Sequence, residues 1–439
     1  MSKYTPEQLE AYWMPYTGNR QFKQDPRMIV SGEGSWLVDD DGRRIFDGLS
    51  GLWTCGLGHG RKKIAEAVEK QLRTLDFGPS FQYGHPVAFE LADRIRQMAP
   101  GNLDYVFFTN SGSESADTST KMARGYWRQK GRPEKTRIIG RARGYHGASW
   151  GGISFGGIGA NRKLWGPGVE ADHLSHTVVK GQEFTRGMPE KGAELADELL
   201  ALLELHDPSN VAAVIVEPFS GSGGVLIPPV GYLKRLREIC DQHEILLIFD
   251  EVITGFGRSG SMFGAIEFDV IPDMMNLAKQ LTNGCVPMGA VVTTDEIYNA
   301  FMESGGPEYM IELPHGYTYS GHPVACAAAM ASLDILEEEQ LVGRVKAMSG
   351  YFENVVHSLK GCNHINDIRN YGFAAGLAID HMPGEPARRP FEIAMSMWKK
   401  GFYVRYGGDT IQLGIPFITE KNEIDDLMTA LQETINEQP

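Results

Sequence analysis

Between about residues 60 and 325, short apolar runs alternate with amphipathic stretches. The runs Tyr105–Thr109, Arg137–Gly140, Val211–Glu217, Ile245–Asp250, Met274–Ala278 and Gly289–Thr293 have the length and composition of buried strands. Ser115–Lys130 and Tyr232–His243 read as helices between some of them. Such alternation predicts an α/β fold with a mostly parallel sheet between helices. The flanks differ. Residues 28–47 read as a hairpin about the turn signal Asp40-Asp41-Gly42. After about 325 come a long amphipathic stretch (Leu333–Leu359) and short strands around Ile365–Ile368 and Phe373–Ile379. A helix (Phe391–Lys400), two strand-like pieces (Phe402–Arg405, Thr410–Gly414) and a last helix from Asn422 follow. The expected organisation is a large domain over 59–325 and a smaller α+β domain over 326–439, which the N-terminal part, 1–58, joins.

With 439 residues the chain is long enough for a large core and two domains. A net charge of −14 argues against a general nucleic-acid or anionic-membrane binder. Apolar runs such as Val211–Val216 are too short to cross a bilayer. The opening MSKYTPEQLEAYWMPY has no basic stretch followed by an apolar core, so a cytoplasmic protein without a secretory signal is expected. Cys55, Cys240, Cys285, Cys326 and Cys362 are scattered and read as free thiols.

The stretch LLIFDEVITGFGRSG (246–260) sets an apolar strand against Asp250 and Glu251. Those acids stand at the carboxyl end, where open α/β sheets bind ligands. Gly255, Gly257 and Gly260 spell G-x-G-x-x-G, but Glu251–Thr254 separate them from the strand and no convincing helix follows. A dinucleotide site needs its glycines directly between strand and helix, so a glycine-rich active-site loop is the better reading. Gly152-Ile153-Ser154-Phe155-Gly156 matches a nucleophile elbow, yet the polar Arg141–Gly151 precedes it where a strand should. His173 and His176 lack a third ligand, and no metal site is expected.

Asn110-Ser111-Gly112-Ser113-Glu114 follows one strand and opens a helix. It is either a phosphate cradle or a plain helix cap. Lys279 follows another strand and is either a solvated loop residue or a buried, nucleophilic amine. Cradle, acid and lysine at three strand ends match the needs of pyridoxal 5′-phosphate: an anchored phosphate, a carboxylate for the ring nitrogen and a Schiff-base lysine.

The sequence resembles the class III (ω-) aminotransferases of the aspartate-aminotransferase-like fold, and among them the ω-amino acid (β-alanine):pyruvate group. The likeness runs through YWMPYTGNR (12–20), LSGLWTCGLGH (49–59), FTNSGSESADT (108–118), IIGRARGYHG (138–147), AAVIVEP (212–218), LLIFDEVITGFGR (246–258), AKQLTNGCVPMGA (278–290) and LPHGYTYSGHPVACAA (313–328). The resemblance implies that Lys279 carries the cofactor and that Asp250 pairs with its ring nitrogen, with Glu217 nearby. It implies that Gly112 and Ser113 hold the phosphate and that Tyr145 and Val252 flank the ring. Thr318 would reach the cofactor of a neighbouring subunit, which requires a homodimer or homotetramer. Trp53, Phe81 and Arg405 would form the donor pocket. The implied reaction moves an amino group from an ω-amino acid or amine to pyruvate. Other enzymes of this class, a mutase or decarboxylase, and more remotely an NAD-dependent oxidoreductase, are the competing readings.

Overall fold

The computed structural model describes residues 4–439. A seven-stranded sheet runs in the order Leu103–Thr109, Gly289–Thr294, Met274–Leu277, Leu246–Asp250, Val211–Val216, Arg137–Arg141, Ala171–Leu174. Gly289–Thr294 is antiparallel to both neighbours; the remaining pairings are parallel. Its four central strands are buried along their whole length, which is why their sequences are continuous apolar runs and not alternating ones. Ala171–Leu174 is an edge strand that the sequence reading passes over, because Asp172 and His173 are polar and only Leu174 is buried.

Helix Gly112–Gln129 lies against the sheet. Ser111 caps it, its Oγ accepting from the Glu114 N–H at 3.2 Å. Two short sheets flank this body. Ile29–Glu33, Trp36–Asp39 and Arg44–Asp47 form a three-stranded meander where a single hairpin was expected, the extra turn lying at Gly34-Ser35. Phe402–Tyr403 joins it in parallel, pairing with Phe46 and Asp47. The other sheet orders Ile365–Tyr371, Ala374–Ile379, Thr410–Leu413 and Arg405–Gly407. The expected strand Phe402–Arg405 is therefore two strands in two sheets, and the chain changes sheet at the buried Val404. The stretch Leu333–Leu359 also divides. Helices Pro323–Glu338 and Leu341–His357 break at Gln340, whose φ of 51° is left-handed. No helix among the described residues is long and apolar enough to cross a membrane.

Candidate active site

The carboxyl ends of the parallel strands converge on a cavity of about 310 Å³. Leu246–Asp250 delivers Asp250, Val211–Val216 is followed by Glu217, and Met274–Leu277 leads to the Lys279 turn. Helix Gly112–Gln129 points its N-terminus into the same space, and Tyr145 and His146 enter from the loop after Arg137–Arg141. Gly112, Ser113, Tyr145, Glu217, Asp250, Val252 and Lys279 all line it. They come from distant parts of the chain, so the convergence is a product of the sheet order.

The two acids of the opening motif part company. Asp250 faces the cavity, with Oδ2 2.8 Å from His146 Nδ1 and Oδ1 accepting from the Val252 N–H at 3.1 Å. Glu251 turns away. It accepts from the N–H groups of Gly264 and Ala265 at 2.7 and 2.6 Å and from the Thr254 hydroxyl, tying down a short helix at Gly264–Glu267. Glu217 accepts from the Ser220 hydroxyl at 2.8 Å. Burial raises its carboxyl, with His146 and Arg141 pulling it back.

Lys279 sits at φ 46°, a left-handed turn that directs its side chain into the cavity. Burial lowers its amine to about 8; Asp250 and Glu217 oppose the shift and Arg405 adds to it. At the helix N-terminus the N–H groups of Gly112 and Ser113 have no acceptor among the described residues. The packing there is tight. A Cβ on Gly112 would lie 2.9 Å from the Val252 side chain, and one on Gly147 2.3 Å from Ser113 Oγ. Open helix N–H groups, a carboxylate held from both oxygens and an amine of lowered basicity fit a phosphate, a protonated ring nitrogen and an aldehyde.

A family model, aminotransferase class-III, matches residues 17–435. The chain belongs to the class III aminotransferases. The chain is 59% identical over 429 residues to a beta-alanine–pyruvate aminotransferase of Pseudomonas aeruginosa, covering 98% of this chain and 96% of that one. It is 58% identical over 430 residues to an omega-amino acid–pyruvate aminotransferase of Pseudomonas putida, with 98% and 96% covered. Among solved structures, an (S)-enantioselective omega-transaminase from Thermomicrobium roseum superposes with a TM-score of 0.92 at 34% identity, covering 98% and 97% of the two chains. As a class III aminotransferase it uses pyridoxal 5′-phosphate, and the residues lining the cavity fit that cofactor.

The outer residues are placed differently. Trp53 does not line the cavity; it is 1% exposed, packed on Gly414, and Leu52 and Thr54 occupy the wall beside it. Phe81 and Thr318 are exposed on the surface of the chain, Phe81 lying against Gly316. Arg405 lies outside the lining, yet its charge is felt at both Lys279 and Tyr145. Sequence reasoning missed His146 and Tyr16. His146 adjoins Tyr145 in Gly144-Tyr145-His146-Gly147, but its partner Asp250 is 104 residues away. Tyr16, at φ 47°, stands against the Tyr145 hydroxyl. The hydrolase-like Ser154 is a buried structural hydroxyl that accepts from the Gly168 and Val169 N–H groups. His173 bonds the Gly156 carbonyl.

Proposed function

We propose that this aminotransferase moves an amino group from an ω-amino acid such as β-alanine, or from an amine, to pyruvate, giving L-alanine and an aldehyde or ketone. The observation that carries the reading is Lys279 and Asp250 facing one cavity with an open helix N-terminus; the relatives' names supply the substrates. When bound, pyridoxal phosphate supplies an aldehyde carbon that takes the amino group and a protonated ring that draws electrons from the reacting carbon. Lys279 would hold that aldehyde and afterwards carry the proton between donor and cofactor as base and acid. Gly112 and Ser113 would donate to the phosphate, and Asp250, oriented by His146, would keep the ring nitrogen protonated. Tyr145 and Val252 would bound the two faces of the ring, with Glu217 beside it.

Arg405 would grip the substrate carboxylate through two parallel hydrogen bonds, a geometry lysine does not offer. Arg405→Ala should then lower kcat/KM for β-alanine about ten- to a hundred-fold, and that for a carboxylate-free amine much less. A donor screen against pyruvate, followed by alanine formation, tests the reaction; no turnover with any ω-amino acid would overturn it.

The active unit in this reading is a cytoplasmic homodimer or homotetramer whose sites are shared, 59–325 carrying the cofactor and 1–58 with 326–439 closing over it. The exposed Tyr319 beside Thr318 and the exposed Phe81, which lies against Gly316, support an interface. Lys279→Ala and a damaging Thr318 variant should regain activity when co-refolded, because a mixed dimer gathers both lesions at one site. A fully active monomer in solution scattering would refute sharing.

A further inference from the structure

The glycine-rich string 255–260 does not line the cavity, yet it carries Arg258, which is 1% exposed and finds no carboxylate at ion-pair distance among the described residues. Its Nη1 donates to the carbonyls of Phe373 and Ile415 at 3.3 and 2.5 Å, and Nη2 to Ser50 Oγ at 3.2 Å. Its own carbonyl accepts from the Phe373 N–H at 3.0 Å. The guanidinium carbon faces the rings of Phe417 and Trp53, 4.7 and 5.6 Å from their centres. Burying a charge without a close ionic partner is costly: burial lowers this guanidinium to about 9, and the Asp47 carboxylate, beyond ion-pair distance, opposes the shift only in part. Its hydrogen bonds and the two ring faces supply the rest of the compensation.

Two segments meet there. On one side, Ser50, Gly51 and Trp53 have φ of 49°, 66° and 66°. Side-chain-bearing residues persist in that region only when their surroundings over-determine them. Leu52 and Thr54 of this segment line the cavity. On the other side, Gly414 and Ile415 continue the strand Thr410–Leu413, whose Gln412 pairs with Arg405. Ser50 donates to the Gly414 carbonyl, and a Cβ on Gly414 would lie 2.4 Å from the Trp53 ring. Arg258 is thus the clasp between the cavity wall and the strand pair bearing Arg405.

We infer that Arg258 is a positioning residue that fixes the distance from the Leu52–Thr54 wall to Arg405, and so sets the length of carboxylate-bearing donor the site accepts. The inference rests on assigning Arg405 to the substrate carboxylate. The planar fork of Arg258 reaches three acceptors at once, which a lysine ammonium on a flexible stem does not reproduce.

The test is Arg258→Lys, assayed with β-alanine, 4-aminobutanoate, 5-aminopentanoate and butylamine against pyruvate. The cofactor absorption band should be unchanged. KM for the donor that the wild type prefers should rise about tenfold while kcat stays within about threefold, and the preference among chain lengths should flatten. Binding of propanoate, an unreactive carboxylate measured by calorimetry, should weaken by a similar factor. Equal losses for butylamine and the amino acids, or an unaltered chain-length preference, would overturn the inference. Should Arg258→Lys fail to fold, Ser50→Ala removes one arm of the clasp and decides: a flattened preference supports the role, an unaltered one overturns it. Arg405→Ala run alongside separates the two ideas. Equal loss of amine and amino acid there removes the Arg405 assignment and this inference with it. A selective loss there, with chain-length preference unaltered in Arg258→Lys, removes the Arg258 role alone.

Discussion

His146 Nδ1 stands 2.8 Å from Asp250 Oδ2, and both side chains are buried. The chain itself therefore orients the carboxylate from both oxygens, since the second accepts from the Val252 N–H. His146→Ala removes one charge-assisted bond, worth about 1.5–3 kcal/mol, and should lower kcat about ten- to a hundred-fold. His146→Asn, which keeps a donor, should recover part of it. The cofactor band should shift in the alanine variant, and an unshifted band with full activity would dismiss the pairing as incidental.

Asp250 and Glu251 should behave oppositely. Asp250→Ala should bind pyridoxal phosphate weakly, by absorbance after dialysis, whereas Glu251→Gln should keep it. Burial raises the Glu251 carboxyl to about 7, against the pull of Thr254, Gly264 and Ala265. The folded chain then holds a proton that the unfolded chain releases near pH 4.3, so this group's stabilisation is present below about 4.3 and is lost as pH rises through 7. Thermal unfolding of the wild type should show that decline, and Glu251→Gln should flatten it. An unaltered slope would place the titration elsewhere.

Gly147→Ala should displace Ser113. The added Cβ would lie 2.3 Å from Ser113 Oγ, and φ at this glycine is 108°. If the helix N-terminus holds the phosphate as proposed, that group would lose alignment, and the Kd for pyridoxal phosphate should rise about tenfold or more. Pyridoxal without its phosphate should bind both forms alike. A uniform loss for the two ligands would point to general misfolding.

Lys279 should set the pH dependence of cofactor uptake by the stripped protein. Its amine, lowered to about 8, is protonated and unreactive below that pH. The rate of uptake, followed as growth of the absorption band, should climb through pH 8 and level off above it. The sign for stability follows from the same shift. Between about 8 and the usual lysine value near 10.4 the unfolded chain binds the extra proton, so the stripped protein should gain stability with pH there. Lys279→Ala should lose both effects, together with turnover.

The four central strands of the large sheet were legible in the sequence because burial on both faces demands continuous apolar runs, and three of those runs end at Asp250, Glu217 and just before Lys279. The helix start at Gly112 was legible too, since capping chemistry is local. Other features depend on residues far apart in the chain. Which acid of the Asp250-Glu251 pair faces the cavity depends on the N–H groups of Gly264 and Ala265, and His146 acquires its role only when the loop after Arg137–Arg141 meets Leu246–Asp250. Phe402–Arg405 reads as one strand by periodicity but divides between two sheets, because each edge offers hydrogen bonds to only part of it. Arg258 reads as one residue of a glycine-rich loop. Its partners Ser50, Phe373 and Ile415 lie more than a hundred residues away in sequence, and only packing makes them neighbours.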